Sequence, residues 1–182
     1  MKILDSKGFT MIEIVVVIFI TGVIGSMAAG LLYQGADIYV QETDRQGFVS
    51  QSRSAFWRLM RETQGQRSSE DFDQSGQAII NLKNANNIPR VFRIALNEFE
   101  FSLDGSSYRD LSTDLFSNNF RFYDNIFSDM TPSSSGSLSL SDAERVHLTK
   151  LKITFQKGPD SFSLSSYVYP INFRFGKKMS YH

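Results

Sequence analysis

The residues near the amino terminus whose types and spacing could do chemistry are Lys7, Gly8, Phe9 and Glu13. A small residue that follows a basic one is a plausible site of proteolysis, so the Gly8–Phe9 peptide bond is a candidate cleavage site. Glu13 is the only charged residue in the stretch 9–36. Because an ionised carboxylate beside an apolar helix is costly, Glu13 is expected to have a partner and a function.

The carboxylate is followed by an apolar segment of membrane-spanning length. Residues 14–36 carry no charge. They number about 23 and would form roughly 35 Å of helix, enough to cross a hydrocarbon core near 30 Å. In an ordinary secretory signal the cut follows the apolar segment, which is removed. Here the candidate cut comes first, so the apolar helix is expected to stay on the mature chain; the alternative is a single-pass anchor that is never cleaved.

The charges on the two sides of this segment predict its orientation. Lys2 and Lys7 precede it, against Asp5, whereas the first charges after it are Asp37, Glu42 and Asp44. Because positive charge is retained on the cytoplasmic side, the amino terminus is predicted in the cytoplasm and the remainder outside the membrane.

Composition excludes several classes of function. The 182 residues suffice for one modest domain and a membrane helix, and 19 Lys+Arg balance 19 Asp+Glu. No global charge favours nucleic acid as a partner, and the two lysines of Gly176-Lys177-Lys178 are too few to argue for it. The absence of cysteine removes thiol catalysis, zinc–thiolate sites and iron–sulfur clusters.

Enzymatic and metal-binding patterns are weak. The two histidines, His147 and His182, accompany no recognisable nucleophile motif, so the chain is predicted not to be an enzyme and no cofactor is predicted. The acidic pairs Asp71/Asp73 and Asp142/Glu144 lack the spacing of a known calcium loop, and solvated loop charges are the favoured interpretation over a calcium site.

One long helix is predicted from about Phe9 to about Gln66, since the first proline is Pro89. Its second half is amphipathic, with an apolar stripe at helical spacing formed by Phe48, Val49, Ser52, Ala55, Phe56 and Leu59, and Met60 at its edge. Trp57 points away from this stripe. A loop of its own head could wrap it, or it could lie in a contact between subunits.

After the helix the hydrophobic period becomes two, which is typical of strands. The pattern predicts strands at residues 78–82, 91–96, 99–103, 108–111, 116–123, 148–155 and 162–169. Turns are predicted at Asp104-Gly105 and at residues 157–160, and a serine-rich loop at 133–141. The predicted fold class is α+β, one long helix with an antiparallel sheet packed on its second half.

Residues 7–13, KGFTMIE, and the apolar run behind them resemble the class III signal of type IV prepilins and pseudopilins. Residues 51–62, QSRSAFWRLMRE, resemble more weakly the helix of the larger minor pilins and J-type pseudopilins, especially the O-type protein of the MSHA pilus system. The resemblance implies cleavage between Gly8 and Phe9 by prepilin peptidase, methylation of Phe9, and pairing of the Glu13 carboxylate with the Phe9 ammonium of a neighbouring subunit.

The resemblance also implies an organisation and a role. The leader would be residues 1–8, the transmembrane and filament-core helix 9–36, and the periplasmic head 37–182, with the helix melting between Gly25 and Gly35 in assembled pili. The expected function is that of a structural minor subunit that primes a type IV pilus or sits at its tip. Its partners would be major and minor pilins, the prepilin peptidase and the inner-membrane assembly platform. A J-type pseudopilin of type II secretion and a membrane-anchored protein that binds a surface or DNA are the alternatives.

Overall fold

The computed structural model describes residues 9–172, so Gly8, the rest of the leader, the basic tail at 176–178 and His182 lie outside the described residues. The described residues divide into two compact units, residues 9–46 and residues 47–172. The predicted helix is confirmed as α1, which begins at Met11 and ends at Gln64 and contributes to both units.

In the first unit, every described residue is exposed. The helix here is long and apolar enough to cross a membrane. Two aliphatic hydroxyl groups in the apolar segment bond within the helix: Thr21 Oγ1 donates to the Val17 carbonyl at 2.6 Å and Ser26 Oγ to the Val23 carbonyl at 2.8 Å. Since lipid offers no hydrogen-bond partners, this internal satisfaction suits a helix that spans a bilayer.

In the second unit, the predicted strands are present, and they form two antiparallel sheets rather than one. The first sheet has the order β1-β2-β3-β4, with β1 at Ile79–Lys83, β2 at Pro89–Ala95, β3 at Glu98–Ser102 and β4 at Tyr108–Ser112. The second has the order β5-β6-β7, with β5 at Leu115–Tyr123, β6 at Leu148–Lys157 and β7 at Asp160–Val168. A short 3-10 helix lies at Ser69–Phe72 and α2 at Leu140–Ala143, where the predicted serine-rich loop ends.

The division into two sheets follows from the pairing of β5. This strand pairs with β6, so that Phe120 lies opposite Leu151, and both side chains are fully buried. The two sheets meet where the Leu115 backbone N–H donates to the Asn97 carbonyl at 3.1 Å. Alternation along a strand indicates which residues share a face, but it does not specify the neighbouring strand.

The predicted stripe of α1 packs into the core of this unit. Phe48, Ser52, Ala55, Phe56 and Leu59 are buried, and Val49 and Met60 are partly buried against the same cluster. The Phe48 ring meets the Phe162 ring edge to face at 5.4 Å between centroids. The stripe therefore acts as the predicted support of the sheets.

The predicted turn at Asp104-Gly105 joins β3 to β4. Gly105 has φ +79°, a backbone conformation that residues with a Cβ atom rarely adopt and that glycine adopts readily. The Asp104 carboxylate accepts hydrogen bonds from the backbone N–H groups of Ser107 at 3.0 Å and Ser106 at 2.9 Å. These bonds stabilise the ionised form and lower the pKa of Asp104 well below its usual value.

Candidate functional site

Glu13 lies at the start of α1 and forms a reciprocal pair with Thr10. Its Oε2 atom accepts hydrogen bonds from the Thr10 backbone N–H at 2.9 Å and from Thr10 Oγ1 at 2.8 Å. In return the Glu13 backbone N–H lies 3.4 Å from Thr10 Oγ1. This is a capping box, in which the residue before the helix and the third helical residue satisfy each other's backbone donors. In the single chain, the partner of Glu13 is therefore Thr10.

Phe9 directly precedes this capping box, and its side chain is 78% exposed. Gly8, the other side of the candidate cleavage site, lies outside the described residues. The Thr10 backbone N–H donates a hydrogen bond to Glu13. Since Phe9 directly precedes Thr10, cleavage before Phe9 would place the new amino terminus one residue from that N–H group. A negative charge near a helix amino terminus is also favoured by the helix dipole.

The glycines of the apolar helix are open. Gly22, Gly25, Gly30 and Gly35 have no other group within 4 Å of the position that a Cβ atom would take. The helix is continuous through the segment from Gly25 to Gly35. The stretching of this segment in an assembled filament therefore stays a prediction, and within the described residues the single chain leaves these glycines free for contacts with other helices.

Trp57 is 62% exposed, so the prediction that a loop of the head wraps it is wrong for the part of the chain that the structure describes. It borders an open depression lined by α1 side chains alone: Ser54, Trp57, Arg58, Met60, Arg61 and Gln64. The Arg58 guanidinium lies over the Phe101 ring at 3.9 Å, which holds that arginine beside the tryptophan. The second interpretation, that Trp57 lies in a contact between subunits, stays a prediction.

The predicted acidic pairs occupy different environments. Asp71 is buried and pairs with Arg67 at 3.0 Å and Lys83 at 3.3 Å, so the interpretation of Asp71 as a solvated loop charge is wrong. The reason is that Arg67, four residues before Asp71, neutralises the buried carboxylate. A spacing of four residues between opposite charges could have indicated this ion pair from the sequence. Asp142 lies at the start of α2, where its Oδ2 atom accepts a hydrogen bond from Ser139 Oγ at 2.7 Å.

Sequence reasoning did not anticipate a third acidic group on the first sheet. The carboxylates of Glu98, Glu100 and Asp110 lie within 4.8 Å of one another. Arg93 forms an ion pair with Glu100 and stacks over the Tyr108 ring at 3.5 Å. Glu98 and Glu100 share one face of β3, and the pairing of β3 with β4 brings Asp110 to them, which the sequence spacing of Asp110 does not indicate.

His147, the histidine weighed as a catalytic residue, lies at the start of β6. Its Nδ1 atom is 3.1 Å from the Arg145 carbonyl oxygen, and its backbone N–H donates to the Tyr123 carbonyl at 2.8 Å. The first contact is to the turn after α2 and the second to the last residue of β5, and both are to main-chain atoms.

Comparison with known protein families places a motif on this amino-terminal region. The model of the prokaryotic N-terminal methylation motif matches residues 4–29, a range that includes Gly8, Phe9 and Glu13. No curated protein matches the chain. The matched residues are a type IV prepilin-like signal continuous with a long apolar helix, as expected of a precursor of the pilin or pseudopilin type that a single helix anchors in the membrane.

Proposed function

We propose that a chain with this type IV prepilin-like signal is a structural minor subunit of a type IV pilus, one that primes assembly or sits at the filament tip. The observation that carries the proposal is the methylation motif at residues 4–29, which runs directly into an exposed apolar helix. A helix that is apolar all round needs lipid or other helices as its surroundings. A filament core supplies the second environment after the membrane supplies the first.

Processing would proceed at the Gly8–Phe9 bond. The prepilin peptidase would remove residues 1–8 in the cytoplasm and methylate the new amino terminus of Phe9. The mature chain would begin at the capping box and retain the whole apolar helix. The head would lie in the periplasm until the inner-membrane assembly platform extracts the subunit into the filament.

Glu13 would then exchange partners during assembly. In the single chain its carboxylate is held by Thr10. In the filament core the ammonium of Phe9 from a neighbouring subunit would become its partner. Opposite charges attract strongly at low dielectric, and either charge alone is costly to bury, so this pairing would fix the axial position of each subunit.

The role of a minor subunit is favoured by the architecture of the head. It has no cysteine pair to close an adhesive loop, and its contacts to partners would come from packing surfaces such as Trp57. The partners would be major and minor pilins. A J-type pseudopilin that caps a type II secretion filament uses the same signal and is the alternative; a subunit recovered with secretion components and not with pilins would identify it.

The test of the proposal is the intact mass of the full chain expressed with and without an active prepilin peptidase. With the peptidase, the mass should fall by that of residues 1–8 and rise by one methyl group. The Gly8→Ala variant should keep the full-length mass, because the peptidase requires the glycine at that position. An unprocessed wild-type chain beside an active peptidase would overturn the proposal and leave a membrane-anchored binding protein.

Trp57 is expected to act in assembly and not in folding. Because its side chain is mostly exposed, Trp57→Ala should change the free energy of unfolding by no more than about 0.5 kcal/mol. Recovery of the chain with co-expressed minor pilins should nevertheless fall, since exposed tryptophan beside arginine is typical of interface centres. Phe116→Ala removes another exposed aromatic side chain, on β5, and is the matched control. Wild-type recovery of the Trp57 variant would contradict the assignment.

A further inference from the structure

The two sheets of the head have four edge strands, and three of them are protected. The outer side of β1 is covered: the Lys83 carbonyl accepts from the Arg67 N–H at 3.0 Å, and the Asn81 N–H donates to Ser75 Oγ at 2.9 Å. The outer side of β5 is covered by the segment after it, where the Met130 N–H donates to the Phe122 carbonyl at 2.8 Å. Natural proteins cover sheet edges in this way to prevent unwanted pairing.

The edge at β4 is protected by its sequence. This strand has only five residues, carries the charged residues Arg109 and Asp110, and pairs with β3 through a register irregularity. The Gln51 side chain also donates to its Leu111 carbonyl at 3.2 Å. Short length, charge and irregular pairing are recognised means of blocking strand addition.

Within residues 9–172, the edge at β7 has no covering segment and no irregular register, and its one charged residue, Asp160, lies at its first position. Its nine residues extend about 30 Å, contain no proline, and pair with β6 in an unbroken register. Residues 161–168, SFSLSSYV, carry no charge. Within residues 9–172, the backbone groups of Ser161, Ser163 and Ser165 make no hydrogen bond to a segment on the outer side of the strand.

The neighbouring strands show which backbone groups of β7 point outward. The Phe122 N–H donates to Thr131 Oγ1 and its carbonyl accepts from the Met130 N–H, so both groups of Phe122 point away from β6. Thr149 lies opposite Phe122 on β6, and its N–H and carbonyl therefore point away from β5 and towards β7. Thr149 pairs with Val168, and bonding alternates along an antiparallel ladder. The residues bonded to β6 are therefore 162, 164, 166 and 168, and the N–H and carbonyl groups of Ser161, Ser163 and Ser165 face away from the sheet.

The side chains at this edge, like its backbone groups, favour the addition of another strand. Phe162 and Leu164 face the core but are only partly buried, whereas their partners Phe155 and Ile153 on the central strand are fully buried. A further strand with apolar residues at alternate positions would complete the cover of this apolar rim. Only an extended backbone presents donors and acceptors at the spacing of the free groups on β7.

We propose that β7 is a docking site for an extended segment of a different protein, with apolar residues at alternate positions, which adds to the second sheet as a fourth strand. The main chain of the segment would bond to Ser161, Ser163 and Ser165, and its alternate apolar side chains would cover Phe162 and Leu164. This is β-strand addition, in which backbone bonds supply affinity and alternate side chains supply specificity. The inference concerns the head alone and does not rest on cleavage or filament assembly.

The test uses the full chain in detergent micelles and a synthetic peptide with the sequence of residues 148–157, LTKLKITFQK, as the probe strand. This sequence already pairs with β7 on its inner side, so it offers a matching register and alternate apolar residues. Amide hydrogen exchange at Ser161, Ser163 and Ser165 should be fast in the chain alone. Saturating peptide should slow it by at least about tenfold, because an added strand bonds these groups.

Two variants at one position separate backbone from side-chain effects. Ser163→Pro removes the outward N–H and should fold, because proline is tolerated where an edge N–H faces solvent. It should weaken peptide binding by at least about tenfold, whereas Ser163→Ala keeps the N–H and should bind within about twofold of the wild type. Exchange rates of the β6 amides report whether each variant has kept its fold.

Two results would overturn the proposal. The first is exchange at the three serines that saturating peptide leaves unchanged. The second is slow exchange before peptide is added, which would mean that the edge is already occupied. A dimeric mass by light scattering would then identify a second copy as the occupant, and fast exchange in a chain that ends at Asn172 would identify residues 173–182.

Discussion

Replacing Glu13 by glutamine is expected to abolish incorporation of the chain into filaments while leaving membrane insertion and cleavage after Gly8 intact. Glutamine keeps the length of the side chain and a carbonyl that can accept the Thr10 hydrogen bonds. It removes the only charge in the stretch 9–36, and with it the attraction to the ammonium of Phe9 on a neighbouring subunit. Because opposite charges attract more strongly at the low dielectric of a filament core than in water, we expect association of the subunit to fall by about a thousandfold.

Thr10→Ala is the matched control for this experiment, because it removes the capping partner and keeps the charge. Loss of a helix cap costs about 1 kcal/mol, so this variant should still assemble at a reduced level. The measurement is the fraction of the chain in sheared filaments of cells that express the other subunits, with intact mass as the record of processing. Wild-type assembly of Glu13→Gln, or an equal loss in both variants, would show that Glu13 serves the helix cap and not a contact between subunits.

The capping box shows what the sequence could have predicted and did not. A threonine three residues before a glutamate at the start of an apolar run is a recognised helix-start signature, and Thr10 and Glu13 have that spacing. The cost of a lone charge beside an apolar helix led instead to the prediction that Glu13 pairs with a neighbouring subunit. In the single chain, the structure shows Thr10 as the partner of this carboxylate.

Periodicity predicted the long helix, its buried stripe and the strands to within a few residues. It could not predict two sheets, because alternation identifies the face of a strand and not its neighbour: β5 pairs with β6, which begins 25 residues after β5 ends. The acidic group of Glu98, Glu100 and Asp110 depends on the same register. The helical spacing gave the direction of Trp57 correctly, but whether a loop covers that direction depends on tertiary packing.

The largest expected effect on the stability of the head is at Phe122. With no cysteine, no disulfide stabilises the second unit, and its interior is rich in phenylalanine. Phe122 is fully buried on β5 and meets Phe72 edge to face, with 5.6 Å between ring centroids. Phe122→Ala should lower the free energy of unfolding by about 3–5 kcal/mol, through lost burial and the cavity left beside Phe72. Denaturant unfolding of the full chain, followed by circular dichroism, measures it.

Phe116→Ala is the control on the same strand. Phe116 is the extra residue at the irregularity between Leu115 and Ser117, which turns its ring out of the alternation, and it is 65% exposed. Its truncation should change the free energy of unfolding by no more than about 0.5 kcal/mol. A domain stable by about 5–15 kcal/mol can tolerate the second change but loses much of its margin with the first. Equal effects at the two positions would mean that Phe116 is covered in the folded chain, and that the irregularity does not direct its ring to the surface.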